Sequence, residues 1–360
     1  MPDTDRKQDF LTRRNRTPVE HLAAFLLIPF TILYRLALLF RKALYKMGIF
    51  KSHRLPERVI SIGGITVGGS GKTPVLIHIA GMLEERGRNV LILTRGYGGA
   101  ESSNAVITPG ENILNSRFSD EVRLMVSSLN STLGVGSDRV RSHTMANEDA
   151  DFDFCLLDDG FQHWKIKRDI DIVVLDATAP FGNGLSLPRG SLREPRYSLG
   201  RADAVIVTRA NQTDDLKRSI NEIRNVTRSI PVIVSEYRVD GVIDVKTGRN
   251  IEMEELIGRV FRAFTAVANP GSFYRTAEEI GLSIKSRRSF RDHHIFTQYD
   301  ADELAKEARA EQCDAFIVTE KDSVKLKTLD FSSIPVYAIR ISLHILEGED
   351  SLCDLVFGNR

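Results

Sequence analysis

Residues 58–75 read Arg-Val-Ile-Ser-Ile-Gly-Gly-Ile-Thr-Val-Gly-Gly-Ser-Gly-Lys-Thr-Pro-Val. Val59–Ile62 is a short apolar run of the kind that forms a buried strand, and Val75–Leu83 has the apolar spacing of a helix. Between them lies a glycine-rich turn ending in Lys72 and Thr73, the arrangement that cradles a nucleoside triphosphate. Gly68, Gly69 and Gly71 let successive backbone N–H groups turn inward on phosphate oxygens, and the following helix adds its positive dipole end. The nucleotide-binding set read here is Thr66, Val67, Gly68, Gly69, Ser70, Gly71, Lys72 and Thr73. Lys72 is placed to reach the β and γ phosphates of ATP, and the Thr73 hydroxyl to meet Mg²⁺. Thr66 stands where the common form of the loop has glycine, and Val67 stands where partitioning-type ATPases carry a signature lysine.

Working outward, apolar strand candidates recur at Val90–Leu93, Phe154–Leu157, Ile170–Leu175, Ala204–Val207, Val232–Val234, Phe261–Val267, Ala315–Val318 and Val336–Ile339. Helical stretches at 73–86, 120–130, 213–226, 271–281 and 300–310 separate them. Continuous β-branched runs alternating with helices predict a doubly wound, mostly parallel α/β sheet of the P-loop NTPase type. The Pro/Gly-rich segment Pro180–Pro195 and the polar Arg238–Glu255 interrupt the alternation, so two lobes around a cleft are expected. The division read from the sequence is a polar tail over 1–20, a hydrophobic helix over 21–50, a P-loop core over 51–225 and a smaller second lobe over 226–360.

Leu22–Phe40 holds nineteen residues of which only Pro29, Thr31 and Arg35 are not apolar. A secretory signal is disfavoured because Arg41, Lys42 and Lys46 follow instead of a small-residue cleavage site. At 100° per residue, His21, Thr31, Arg35, Lys42 and Lys46 fall on one stripe of an otherwise greasy helix, which suits a segment lying in a membrane interface. A core helix and a single membrane span are the alternatives. Net charge is only +1, so no overall field points to nucleic acid. Cys155, Cys313 and Cys353 are far apart and lack metal-ligand spacing, as in a protein of a reducing compartment.

Further motifs could carry chemistry. Thr94-Arg-Gly-Tyr-Gly-Gly follows a strand, placing Arg95 and Tyr97 at the ligand crevice. Ser119-Asp-Glu opens a helix, where spacing alone makes Ser119 a cap and Asp120 and Glu121 first-turn acids. Phe154–Leu157 ends in Asp158-Asp159-Gly-Phe-Gln-His, and acids closing a buried strand fit a metal-holding carboxylate. Arg189 and Arg193 sit in a proline-bracketed loop, as phosphate-binding forks can. Phe290-Arg-Asp-His-His offers an Asp–His pair for proton transfer. Thr319-Glu-Lys-Asp is not a guanine-reading motif, because Lys321 comes one place late.

In order and combination, these motifs resemble the tetraacyldisaccharide 4′-kinase family of lipid A biosynthesis, from the hydrophobic helix to about residue 330. Gly64 departs from the polar residue, usually Asn, of that family. The resemblance implies transfer of the ATP γ-phosphate to the 4′-hydroxyl of a tetraacylated disaccharide 1-phosphate at the cytoplasmic face of the inner membrane, with membrane phospholipid met through the N-terminal helix. It implies Asp120 as base, aided by His293, with Lys72 catalytic. It further implies Thr73, Glu121 and Asp159 at Mg²⁺, and Arg95, Tyr97, Asp158, Gln162, His163, Arg189 and Arg193 lining the site. The alternative function is a membrane-tethered regulatory ATPase of the partitioning or metallochaperone type, against which Val67 argues.

Overall fold

The structure is a computed structural model that describes residues 22, 24–96, 104–111, 113 and 118–358. Its strands are β1 (Arg58–Gly63), β2 (Val90–Thr94), β3 (Ala105–Ile107), β4 (Thr132–Val135), β5 (Phe154–Asp158), β6 (Ile170–Asp176), β7 (Ala204–Thr208), β8 (Val232–Asp244), β9 (Asn250–Ile251), β10 (Val260–Thr265), β11 (Ser283–Ser289), β12 (Ala315–Thr319) and β13 (Val336–Glu347). They form a 13-stranded sheet in the order β11-β10-β12-β13-β8-β7-β6-β1-β5-β2-β4-β3, with β9 on β8. The helices are α1 (Ile28–Lys46), α2 (Lys72–Glu84), α3 (Asp120–Ser128), α4 (Arg139–Ala146), α5 (Leu216–Thr227), α6 (Pro270–Glu279), α7 (Gln298–Ala310), α8 (Glu320–Ser323) and α9 (Glu349–Phe357).

β1 lies between β5 and β6, parallel to both, and five of its six residues are buried. Such two-faced burial is what its unbroken apolar run requires. Ile60 and Ile62 pack against Val75, Leu76 and Ile79 of α2, so the strand, turn and helix of the phosphate loop share one core.

The expected strand starts at Val232 and Val336 are found, but both strands run far beyond their apolar stretches. β8 pairs parallel with β7 through Val232–Val234, then antiparallel with β13 as far as Asp244. This ladder joins the two lobes. Residues 236–240, which lie within it, are half-buried or exposed, so this part of β8 carries no continuous apolar run. The polar stretch read as an interruption is therefore partly strand. α4 was not expected because its mostly polar face gives no apolar period, and β4 spans only four residues.

The segment 226–360 does not form a lobe by itself. Leu352, Leu355 and Val356 of α9 join the core around Ile60 and Ile206, and Arg58 donates to the carbonyls of Leu355 and Gly358 at 3.1 and 2.8 Å. The chain crosses into the second lobe on β8 and returns on β13.

The helix over Ala24–Lys46 is long and apolar enough to cross a membrane, and little of it is buried. Of the described stripe residues only Thr31 is buried, although the helix makes polar contacts with the rest of the protein. Tyr34 Oη donates to the Arg193 carbonyl at 3.0 Å, and Lys42 Nζ lies 5.8 Å from the Trp164 ring centroid. Arg35, Lys42 and Lys46 are exposed. Phe25, Leu26, Phe30, Leu33, Leu36 and Phe40 point outward as an exposed apolar face. His21 lies outside the described residues.

The second lobe has a separate core around the fully buried Phe264, whose ring contacts Phe290, Phe296, Phe316 and Phe331 at centroid distances of 6.4, 5.5, 5.5 and 6.0 Å. Phe264→Ala is expected to lower stability by about 3–5 kcal/mol, through lost transfer energy and the cavity left behind. Chemical denaturation checks this, and a loss below about 1 kcal/mol would show that the cluster does not hold the lobe.

Candidate active site

A cavity of about 1930 Å³ opens between the lobes at the carboxyl ends of the parallel strands. Thr66–Thr73 line it on one side, as do Thr94 at the end of β2, Asp158 at the end of β5 with Asp159 just after it, and Asp176 at the end of β6. Asp292, His293 and Thr319–Lys321 line it from the second lobe.

Gly71 caps α2 with φ 83°, and a Cβ there would lie 2.0 Å from Tyr237 Oη. Both the left-handed backbone and the close approach require glycine. The loop is held from neighbouring strands. Thr208 Oγ1 donates to the Ser70 carbonyl at 2.9 Å, Arg209 Nη1 to the Gly69 carbonyl at 2.8 Å, and the Val67 N–H to the Ser191 carbonyl at 2.7 Å. Arg209 is itself paired with Asp176.

The two adjacent acids have different environments. Asp158 Oδ2 accepts from Thr94 Oγ1 at 2.8 Å, and burial pushes its carboxyl above the usual range. Burial also opposes charge on Asp159, but Lys72, Arg193 and Arg139 together hold it below that range. Arg193 Nη1 lies 2.5 Å from Asp159 Oδ2, and Lys72 Nζ lies 3.6 Å from Oδ1. The longer contact is an ion pair without a hydrogen bond, so Oδ1 is a buried carboxylate oxygen with no hydrogen-bond partner. Asp159 adopts φ 49°, an uncommon backbone state that places it beside Lys72.

His163 is pushed down to about 3 by burial and by the cations Arg139, Arg168, Arg41 and Lys165, and is neutral near pH 7. Arg139 can only donate, so the contact of Arg139 Nη1 with His163 Nδ1 at 3.1 Å assigns the imidazole proton to Nε2. That nitrogen has no hydrogen-bond partner. Gln162 Nε2 donates to the Gly64 carbonyl at 2.9 Å.

At the far side, α3 of the first lobe meets the second lobe through charges. His293 Nδ1 and Lys325 Nζ each lie 3.2 Å from Asp120 Oδ2, and Lys321 Nζ lies 3.0 Å from Glu121 Oε1. His293 Nε2 is 3.6 Å from Glu121 and 3.8 Å from Asp292. Burial opposes charge on Asp120, but His293, Lys325 and Lys321 outweigh it and lower its pKa. The hydrogen bond to Asp120 raises that of His293 above 6.5. His293 faces the cavity, whereas Asp120 sits behind it and is not on the wall. Ser119 occupies the cap position of α3, but its hydroxyl makes no capping hydrogen bond and is buried without a partner.

Of the residues singled out in the sequence, Lys72, Thr73, Glu121, Arg95, Asp158, Asp159, Gln162, His163, Arg193 and His293 line this cavity with the glycine loop. Arg189 does not line it; its loop is turned so that its carbonyl accepts from Asn183 Nδ2 at 3.1 Å. Tyr97 lies outside the described residues. Sequence reading missed Arg139, Thr208, Arg209, Tyr237 and Lys325. No local motif marks the first four; Lys325 had a faint signal, lying four residues after the Lys321 of a motif already noted.

Because the folded pKa of His293 is raised, its stabilising contribution is full below 6.5 and is lost as pH rises through the folded value. Asp120 has the opposite sign: its contribution is present above 3.8 and is lost as pH falls through its lowered value. NMR titration of labelled histidine is expected to place His293 above 6.5 in the wild type and to show it falling in Asp120→Asn. An unchanged His293 titration in that variant would contradict the pairing.

The model of the family described as tetraacyldisaccharide-1-P 4′-kinase, LpxK, matches residues 23–357. A tetraacyldisaccharide 4′-kinase of Pelobacter propionicus is 38% identical over 305 residues, covering 84% of this chain and 82% of that one. One from Halothermothrix orenii is 34% identical over 359 residues, covering 94% and 91%. The crystal structure of LpxK from Aquifex aeolicus in complex with ATP superposes with a TM-score of 0.74 at 28% identity, covering 93% of this chain and 98% of that one. A P-loop wall, paired acids at the end of β5 and a family match over almost the whole length agree: the chain belongs to the tetraacyldisaccharide 4′-kinase family.

Proposed function

We propose that this chain transfers the γ-phosphate of ATP to the 4′-hydroxyl of a tetraacylated glucosamine disaccharide 1-phosphate, giving the doubly phosphorylated lipid A precursor. The observation that carries the mechanism is the cavity wall itself. It bears Lys72 and the glycine loop on one side and His293, backed by Asp120, on the other. Donor phosphate and acceptor hydroxyl are to meet between them.

In this reading the backbone of Gly68–Thr73 and the Lys72 ammonium hold the phosphates. Asp120 and His293 act as one unit in removing the 4′-hydroxyl proton: the neutral His293 imidazole, which faces the cavity, takes it, and the Asp120 carboxylate behind it stabilises the imidazolium, so the base role expected of Asp120 is exercised through His293. A raised His293 pKa suits a group that must lose and regain a proton near neutrality. Arg193, Arg95 and Arg139 supply fixed positive charge around the transferring group; Asp158, Gln162 and His163 shape the wall between them.

The residues fit Mg²⁺. Asp159 Oδ1 is a buried, unpartnered oxygen on a carboxylate held ionised, and the Thr73 hydroxyl lines the same cavity. We assign Thr73 and Asp159 to the ion, which would neutralise charge developing on the phosphates. Among the described residues no group of three or more His, Cys, Asp or Glu could hold a metal alone, in keeping with an ion ligated largely by phosphate and water. Glu121 also lines the cavity, with Oε1 3.0 Å from Lys321 Nζ, and is kept as a further carboxylate for the ion.

The apolar face of α1 gives the lipid substrate a route. Extracting the acyl chains into water would cost about 0.8 kcal/mol per CH₂, whereas a helix seated in the cytoplasmic side of the inner membrane brings the head group to the site. Tyr34, Leu38 and Arg41 of that helix line the cavity, so lipid surface and ATP site adjoin.

Incubating the protein with γ-labelled ATP, Mg²⁺ and tetraacyldisaccharide 1-phosphate in micelles is expected to label a doubly phosphorylated lipid. Lys72→Ala and Asp120→Ala are each expected to lower kcat by on the order of a hundredfold or more. Label found only in free phosphate would overturn the kinase reading in favour of an ATPase, and near-normal kcat in either variant would overturn that residue's role.

A further inference from the structure

We propose that Lys325 is a positioning residue for phosphoryl transfer: its ammonium fixes the Asp120 carboxylate against His293 and makes that contact depend on the second lobe. The inference rests on the Asp120–His293 reading above and extends it to a residue outside the cavity wall.

Lys325 follows α8, and its side chain is only 7% exposed. Three oxygens surround its ammonium, which donates a hydrogen bond to the His294 carbonyl at 3.3 Å and forms ion pairs with Asp322 Oδ1 at 2.8 Å and Asp120 Oδ2 at 3.2 Å. Each partner has a different job. Asp322 is fully buried and cannot move, because its Oδ2 accepts from Thr265 Oγ1 at 2.7 Å, Thr319 Oγ1 at 2.8 Å and the Ala266 N–H at 3.0 Å. It anchors the lysine to the ends of β10 and β12. Asp120 belongs to the other lobe. The His294 carbonyl is on the residue after the imidazole that faces the cavity.

His293 is held from the same hub on its other side. The Ala266 N–H is bound to Asp322, and the Ala266 carbonyl accepts from the His293 N–H at 3.2 Å. One buried ion pair therefore fixes the backbone on both sides of His293, and the same ammonium reaches the carboxylate that orients its ring. Asp120 Oδ2 takes both the His293 and the Lys325 contacts, so without the lysine the carboxylate keeps only one of them. Misplacement of a reacting group by about 1 Å can cost on the order of a hundredfold in rate.

A merely structural lysine would serve to balance Asp322. Replacing Lys325 alone leaves two carboxylates facing one buried gap, so loss of fold would confuse the result. Lys325→Met/Asp322→Asn removes both charges, and the asparagine oxygen can still accept from Thr265 and Ala266. Asp322→Asn alone keeps Lys325 beside Asp120. Asp322→Asn weakens the anchor but leaves the ammonium beside Asp120, so its loss in kcat is expected to be at least about fivefold smaller than that of the double variant. The double variant is expected to lose roughly tenfold to a hundredfold in kcat while its KM for ATP stays within about twofold. Thermal melting confirms folding of both. Equal kcat in the two variants would overturn the proposal, as would a double variant whose loss lies in KM. Asp120→Asn measured in parallel separates the two readings: a near-normal kcat there sinks the Asp–His pair itself. A low value there, with a fully active double variant, sinks only the role of Lys325.

Discussion

The seam at which Asp120 and Glu121 of one lobe meet His293, Lys321 and Lys325 of the other is the contact on which the site depends. The glycine loop can be complete within the first lobe, because β1, α2, Thr208 and Arg209 all belong to it. The Asp120–His293 pair, to which we assign the proton transfer, cannot. Its carboxylate is in the first lobe and its imidazole in the second, and they are joined by a 3.2 Å contact. On the proposed reading, separation of the lobes by even a few ångströms would leave the phosphate cradle without its base. Such an arrangement makes nucleotide binding and acceptor activation separable, which suits an enzyme that must not hand phosphate to water.

The sheet supports the seam in a particular way. β8 and β13 pair antiparallel from Val234 to Asp244 where the lobes join, with two register shifts, and α9 returns to the first core. The lobes are thus tied by continuous backbone pairing, with a solvent-exposed stretch midway and compact apolar cores at either end. Across the cavity from this ladder, Tyr34 of α1 bonds the Arg193 carbonyl while the Arg193 guanidinium holds Asp159. The long apolar helix, the arginine loop and Asp159 of the cavity wall are thus linked by direct contacts.

Much of this was legible in the sequence because it lies in contiguous stretches. The phosphate loop, the acids after Leu157 and the buried parallel strands each declare themselves by spacing. What was not legible is long-range. Lys325 and Asp120 are distant in sequence, and only the fold brings them to 3.2 Å. Tyr237 and Arg209 serve the glycine loop from strands whose local pattern says nothing about phosphate. The stripe on α1 was legible as a stripe, but its direction was not. An amphipathic period fixes which residues share a face and leaves open whether that face meets lipid or protein. Arg189 and Arg193 looked equivalent in one loop, yet only Arg193 lines the cavity, because the path of the loop decides it.

The central claim is that Asp120 and His293 act as one unit assembled across the lobes. A double-mutant cycle on kcat, with Asp120→Ala, His293→Ala and both together at saturating ATP and lipid, tests it most directly. If they act as a unit, the double variant loses little more than the worse single variant, a strongly non-additive result. Losses that simply multiply would mean that the two residues act independently, and would contradict the account.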